Sequence, residues 1–252
     1  MRAKLRIRSD NGKPAIERQF NFHQKGYLCR MDNYAVIFDM DGVIAHTNPH
    51  HTEAFKQFFD KYEVAYTLEE FEDHMYGKHN DYIMRYFFKR PMNDAEVKRL
   101  AEEKEALFRE IYADHVAPIT GLPEFLDGLK AAGYRLGVAT SAPRANLDFI
   151  IDKLSIRQAM DAILSSEDVS AHKPDPEIYL KAADKLGVQP DHCVVFEDSH
   201  SGVSAALNAG TTVIGVLTSH TADELPPCKR YIHDYLQIGP DDIRQLLTGR
   251  NA

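Results

Sequence analysis

Asp39 and Asp41 stand two residues apart, directly after a short apolar run at residues 34–38, and Gly42 follows them. Two carboxylates so placed can divide nucleophilic and acid–base work. Asp39 could attack phosphorus and form an aspartyl-phosphate. Asp41 could protonate the leaving oxygen and later deprotonate water. Gly42 permits the turn that brings both to one place. Further along come Thr140 with Ser141, then Glu167, Asp168 and Lys173, then Glu197 with Asp198, each group after another run of strand character. Carboxylates gathered at one point repel unless a cation lies among them. An all-oxygen ligand set favours Mg²⁺, which keeps some of its water and shares a phosphate oxygen. Lys173 would set positive charge beside the oxygens of a transferring phosphoryl group. The Thr140 hydroxyl and backbone amides would complete the phosphate contacts.

Singly, each motif has an ordinary structural explanation. Asp-x-Asp after a strand is commonly a turn or a cap, Thr140 a cap, Lys173-Pro174 a solvated loop, and Glu197-Asp198 a cap for a helix near Ser201. Together they would need four coincidences in chain order. Each falls at the carboxyl end of a strand, where open α/β sheets place their ligands.

Those residues need elements to hold them. Residues 34–38, 134–139, 159–164, 193–196 and 212–217 read as strands, and 122–132, 146–154, 176–186, 202–208 and 241–247 as helices. The signal is apolar runs of strand length alternating with helical spacing. It implies a Rossmann-like, doubly wound parallel sheet with helices on both faces. From Pro49 to about residue 116 the pattern is wholly helical. Pro49 opens one helix, Thr67 with Glu70 resembles a capping box, Gly77 breaks the pattern, Asn80 could cap the next helix, and Asn93 begins a long charged one. Phe55, Phe58, Phe59, Phe87 and Phe88 recur at helical spacing as the core of this insertion. The expected division is residues 31–46 and 118–252 as catalytic core and 47–117 as an inserted all-helical cap, with hinges at 46–49 and 117–121.

The composition bounds the partners. The chain has 252 residues, 44% hydrophobic and 27% charged, close to the globular average and unlike disordered, collagenous or disulfide-scaffold chains. Thirty Lys and Arg stand against 38 Asp and Glu, which argues against a nucleic-acid partner. No apolar run reaches membrane-spanning length, so no membrane partner is expected. Cys29, Cys193 and Cys228 are widely spaced and form no metal-type pair, which fits a reducing cytoplasm. A monomer is expected. Residues 1–30 carry eight Lys or Arg against two Asp or Glu and lack the apolar stretch of a secretory signal. They read as a loosely ordered basic tail or an extension upstream of Met31, in which residues 4–8 alternate as a short strand would. His46, His50 and His51 cluster without the further ligands a zinc site needs. Cys193 reads as a core residue and His172 as solvent-facing.

The motifs together resemble the haloacid dehalogenase superfamily of phosphotransferases over about residues 34–218. FDMDGVI (38–44) is similar to the first motif, ATSAPR (139–144) to the second, HKPDPEIY (172–179) to the third and FEDSHSG (196–202) to the fourth. The resemblance implies Asp39 as nucleophile, Asp41 as acid/base, and catalytic roles for Thr140 and Lys173. It implies Mg²⁺ held by Asp39, Asp198 and the backbone carbonyl of Asp41, with Glu197 a further candidate ligand. An acid at Asp41 implies phosphoryl transfer rather than dehalogenation. Within the superfamily the chain looks closest to the β-phosphoglucomutase and sugar-phosphatase group, which has a small helical cap. His51 stands where that group has a hinge histidine, and Lys104 matches a cap lysine. His46-Thr47 departs from the usual Asp-Thr. Asn80 falls where the mutase has an arginine for a second phosphate, and the ammonium of nearby Lys78 is not a bidentate fork. The implied function is a phosphatase of a small phosphorylated metabolite, a sugar phosphate, with Ser141, His51, Lys78 and Asn80 as substrate contacts. The alternatives are a phosphomutase and a non-catalytic Mg²⁺-binding phosphoacceptor; an intact Asp41 and an enclosing cap count against the second.

Overall fold

Residues 34–75 and 78–249 are described by a computed structural model. The readings made for residues 1–30, Cys29, Met31 and Gly77 lie outside the described residues.

The first strand, β1 (Ala35–Phe38), is four buried residues long. Its side chains alternate, as the strand period requires. Val36 and Phe38 enter one apolar layer; Ala35 and Ile37 enter another on the opposite face. Burial on both faces is why the run is apolar without interruption. Five more strands follow: β2 (Arg135–Ala139), β3 (Ala162–Leu164), β4 (Cys193–Glu197), β5 (Thr212–Val216) and β6 (Arg230–Ile232). All neighbours pair in parallel, in the order β3-β2-β1-β4-β5-β6. The chain therefore winds one way from β1 to β3 and the other way from β4 to β6. The switch lies between β1 and β4, where a crevice opens at the carboxyl ends of the strands.

Nine helices accompany the sheet among the described residues. Four of them form a block between β1 and β2: α1 (Asn48–Lys61), α2 (Leu68–Met75), α3 (Asn80–Phe88) and α4 (Asp94–Tyr112). The others are α5 (Leu122–Ala131), α6 (Arg144–Lys153), α7 (Glu177–Leu186), α8 (His200–Asn208) and α9 (Pro240–Thr248). Phe125 of α5, Ile150 of α6 and Ile243 of α9 join the layer of Val36. Tyr179 of α7 and Val203 of α8 join the layer of Ile37. The block α1–α4 has an apolar cluster of its own, built on Phe55, Phe58, Phe59, Phe71 and Phe87, with Phe88 packed against it.

Local chemistry sets the helix ends. The Thr67 hydroxyl accepts from the Glu70 amide at 3.1 Å while the Glu70 carboxylate accepts from the Thr67 amide at 3.0 Å, a reciprocal capping box before α2. The Asn93 side chain accepts from the Glu96 amide and caps α4. At α3 the cap is His79, not Asn80: His79 Nδ1 accepts from the Asp81 amide. Asn80 is the first helical residue, which frees its side chain for another partner. β3 starts at Ala162 rather than 159, because residues 157–159 coil into a 3₁₀ turn. The three-residue β6 is too short to leave a pattern in the sequence.

The two connections into the helical block run side by side. Ala45 bridges to Pro118, and the Ile119 amide donates to the Ile44 carbonyl at 2.9 Å. No helix among the described residues is long and apolar enough to cross a membrane.

Candidate active site

β1 delivers Asp39 and Asp41 to the crevice. The Asp39 amide donates to the Phe196 carbonyl at 3.0 Å, which ties the end of β1 to the end of β4. The Lys173 ammonium, only 3% exposed, reaches the same point from the loop before α7. It donates to Asp39 Oδ1 at 2.6 Å, to Glu197 Oε1 at 2.7 Å and to the Ala139 carbonyl at 3.3 Å. Glu197 is held from every side. Its Oε1 also accepts from the Tyr179 hydroxyl at 2.8 Å. Its Oε2 accepts from the Asp198 amide, the Ser199 amide and the Ser199 hydroxyl. Asp198 points the other way: Oδ2 accepts from the Asn48 amide group at 3.1 Å and from the Ser219 hydroxyl. The His220 ring nitrogen Nδ1 donates to the Asp198 carbonyl at 2.9 Å, and the Thr218 hydroxyl donates to the Gly42 carbonyl at 2.6 Å.

Two glycines are demanded by this crowding. Gly42 has φ +72, and a Cβ there would collide with the Asp198 carboxylate. A Cβ on Gly202, in the first turn of α8, would overlap the Glu197 carboxylate.

The electrostatics favour a cation. Burial pushes the Asp39 carboxyl up; Lys173 pulls it back, and Glu197 and Asp41 push again, leaving it raised to about 7. Burial, with Glu197 and Asp39 close by, drives Asp198 well above the carboxylate range. Burial opposes ionisation of Glu197 too, but the Lys173 ammonium holds it below its usual value. Burial works against the Lys173 charge as well, yet Asp39 and Glu197 keep that ammonium above the ordinary lysine range. Oxygens of Asp39, Glu197 and Asp198 all lie within 4.8 Å of one another. Two acids raised by burial and then by neighbouring carboxylates, with oxygen donors alone, match a hard divalent cation. Glu197 has its oxygens committed to Lys173, Tyr179 and the turn after β4, which leaves Asp39 and Asp198 as the freer donors.

The wall above this floor comes from the helical block. His51 Nε2 lies 3.5 Å from Asp41 Oδ1. The His51 ring stacks on Phe108 with centroids 3.6 Å apart. Lys104, 1% exposed, sits 3.4 Å from His51 Nδ1 and over the face of Phe55. An ammonium can only donate, so Nδ1 accepts and the ring hydrogen lies on Nε2, facing Asp41. Lys104 also pairs with Glu105, which is 4% exposed. Glu105 further accepts from the Asn80 amide group at 2.6 Å and from the Asn146 amide group at 2.5 Å. Asn146 belongs to α6, so this carboxylate joins the helical block to the sheet-bearing part. Arg109 donates to Asn146 Oδ1 at 2.7 Å.

One cleft gathers the residues that the sequence singles out. Asp39, Asp41, Thr140, Lys173, Glu197 and Asp198 line its floor, and Ser141 lies beside them. His51, Lys78 and Asn80 line the facing wall, with Lys78 exposed. Thr140 is 1% exposed, and its Oγ1 accepts from the Ala142 amide. Glu167 and Asp168 do not join the site. Glu167 accepts from the Arg144 amide, and Asp168 closes a capping box with Ser165 and pairs with Arg144. His172 is half-buried rather than solvent-facing, its ring stacked on His79 at 3.9 Å. His50 packs against Tyr112 and His115.

Asn48, Thr218, Ser219 and His220 are site residues beyond the sequence reading. The strand-end rule, extended to β5, points at the last three. Asn48 stands among the histidines at 46–51 with nothing to mark it.

A family model described as haloacid dehalogenase-like hydrolase matches residues 36–216. A phosphorylated carbohydrates phosphatase of Thermotoga maritima is 34% identical over 73% of this chain and 86% of its own length. A fructose-1-phosphate phosphatase of Escherichia coli is 31% identical over 73% of this chain and 97% of its own. Among solved structures, a haloacid dehalogenase hydrolase of Entamoeba histolytica superposes with a TM-score of 0.79 at 30% identity, covering 85% of this chain and 99% of that one.

Proposed function

The chain belongs to the haloacid dehalogenase-like hydrolases, and from that premise we propose that it is a Mg²⁺-dependent phosphatase of a small phosphorylated carbohydrate. The observation that carries the reading is the buried group of Asp39, Lys173, Glu197 and Asp198 at the sheet's switch point, with Asp41 beside it. Relatives named as carbohydrate phosphatases support the substrate class.

Asp39 and Asp198, with the backbone carbonyl of Asp41, would hold the metal. Mg²⁺ bound there would offset charge on the phosphoryl oxygens. Asp39 attacks phosphorus, the bond from phosphorus to the leaving oxygen breaks, and Asp41 gives its proton to that oxygen. Asp41, now a carboxylate, takes a proton from water. The water oxygen bonds to phosphorus, the bond to Asp39 breaks, and phosphate leaves. Lys173 spends its charge on Asp39 and on the phosphoryl oxygens, and Glu197 with Tyr179 holds it there. Thr140 and Ser141 receive the phosphate. The helices α1–α4 act as the cap, and the His51 ring stands beside Asp41, its Nε2 3.5 Å from Asp41 Oδ1. Asn80, whose amide is spent on Glu105, lacks the charge that anchors a second phosphate, which favours hydrolysis over a mutase cycle.

The test is phosphate release from a panel of sugar and polyol phosphates, with Mg²⁺ or EDTA, by wild type and Asp39→Asn. Release by wild type with Mg²⁺ alone is expected. Release that persists in EDTA or in Asp39→Asn would overturn the reading.

A further inference from the structure

Glu105 is a buried carboxylate that the reaction does not use. A carboxylate only accepts hydrogen bonds. The Asn80 side chain therefore turns its NH₂ to Glu105, at 2.6 Å, and Asn80 lines the cleft; its amide oxygen is the acceptor that this bond leaves for a ligand. Glu105 also neutralises Lys104, the buried cation on that wall. Burial pushes the Glu105 carboxyl up, but Lys104 first, then His51 and the hydrogen bond from Asn80, bring it down to about 2, so it is charged at neutral pH. Arg109 is turned onto Asn146 and does not line the cleft. Lys78 lines it but is exposed, where water and salt screen its charge. Among the described residues lining the cleft, no buried Lys or Arg lacks an acidic partner.

We propose that Glu105, acting through Asn80 and Lys104, sets the substrate class: phosphate monoesters whose leaving group ends in hydroxyls and carries no second anionic group. This rests on the phosphatase reading. A hydroxyl at the cap end can donate to the Asn80 oxygen. A second phosphate or a carboxylate meets that oxygen with Glu105 behind it and no desolvated counter-charge, an arrangement that disfavours anions. Glu105 is a positioning residue; it touches no reacting atom.

The experiment uses matched pairs: fructose 1-phosphate against fructose 1,6-bisphosphate, and glycerol 3-phosphate against 3-phosphoglycerate. Binding to Asp39→Asn with Mg²⁺, measured by calorimetry, decides the preference whether or not the wild type turns over. The hydroxyl-ended member of each pair is expected to bind at least about tenfold tighter. Adding Glu105→Gln, or separately Asn80→Lys, should swing that ratio about tenfold toward the second anion. A purely structural Glu105 would weaken both members alike and leave the ratio unmoved. Asn80→Lys keeps the test open if Glu105→Gln does not fold. Equal or tighter binding of the second-anion member, or a ratio unmoved in the folded variants, overturns the inference. Failure of the wild type to release phosphate overturns the phosphatase reading and leaves the binding ratio to judge this one.

Discussion

Lys173, buried, makes its two shortest hydrogen bonds to two buried carboxylates at once. Replacing it with Met removes the charge that faces both the nucleophile and the phosphoryl oxygens, so kcat should fall by about 10²–10³-fold or more, as loss of one electrostatic donor does elsewhere. Asp41→Asn should cost about 10²–10⁴-fold in steady-state turnover on any ester, because water activation is lost, but p-nitrophenyl phosphate, whose leaving group needs no proton, should still give a fast first-turnover burst of p-nitrophenol that a poor leaving group does not; rapid-mixing kinetics on the two esters check this. Asp39 gives a pH dependence with a defined sign. Its folded-state value of about 7 lies above the ordinary 3.8, so without metal the folded state holds a proton that the unfolded state has lost. Metal-free stability should therefore fall as pH rises between about 4 and about 7. Mg²⁺ must displace that proton, so the gain in melting temperature on adding Mg²⁺ should grow over the same interval and level off above it. A gain that is constant with pH would contradict the value. At this scale Asp39, Asp41, Lys173 and Asp198 are legible in the sequence because each follows a strand. Glu105 is not, since it is one acid in the charged run AEEKEALFRE and its burial depends on α6 packing against it.

Elements place these side chains, and two of their joints can be tested. The turn after β1 needs Gly42 at φ +72 with no Cβ beside Asp198. Gly42→Ala should lose about 1–2 kcal/mol from the left-handed backbone and more from displacing Asp198, seen as a lower melting temperature and weaker Mg²⁺ binding. Glu105 bonds α3, α4 and α6 together. Glu105→Ala leaves Lys104 buried without its partner and should cost about 3–5 kcal/mol, read by denaturant unfolding. The strands and helices of the sheet are legible from periodicity, because parallel strands buried on both faces are continuously apolar. The cap of α3 is not: Asn80 is the better capping residue by type, yet it is taken by Glu105, and His79 takes the cap instead. Tertiary contact overrides local preference there.

Across the whole molecule, the order β3-β2-β1-β4-β5-β6 brings residues more than a hundred positions apart in the chain to one point, as Lys173 and Asp39 show. The helices α1–α4 enter through two connections that pair at Ala45 and Pro118, so both ends of the block cross at one place beside Asp41. The block is also tied to the rest by Asn48 on Asp198 and by Glu105 on Asn146 of α6. The sequence shows the insertion and the floor plainly. It does not show which polar groups face each other across the cleft, because those depend on how α3 and α4 lie over β1, β2 and β4. The proposed chemistry stands or falls on the phosphoryl group passing through Asp39. The most direct measurement is acid quench of Asp41→Asn mixed with Mg²⁺ and p-nitrophenyl phosphate, followed by peptide mass spectrometry. Attack on this ester needs no acid, whereas hydrolysis of the intermediate needs the missing base. A hydroxylamine-sensitive phosphoryl adduct on Asp39 is expected. An adduct on another residue, or p-nitrophenol released with no adduct on Asp39, would contradict it.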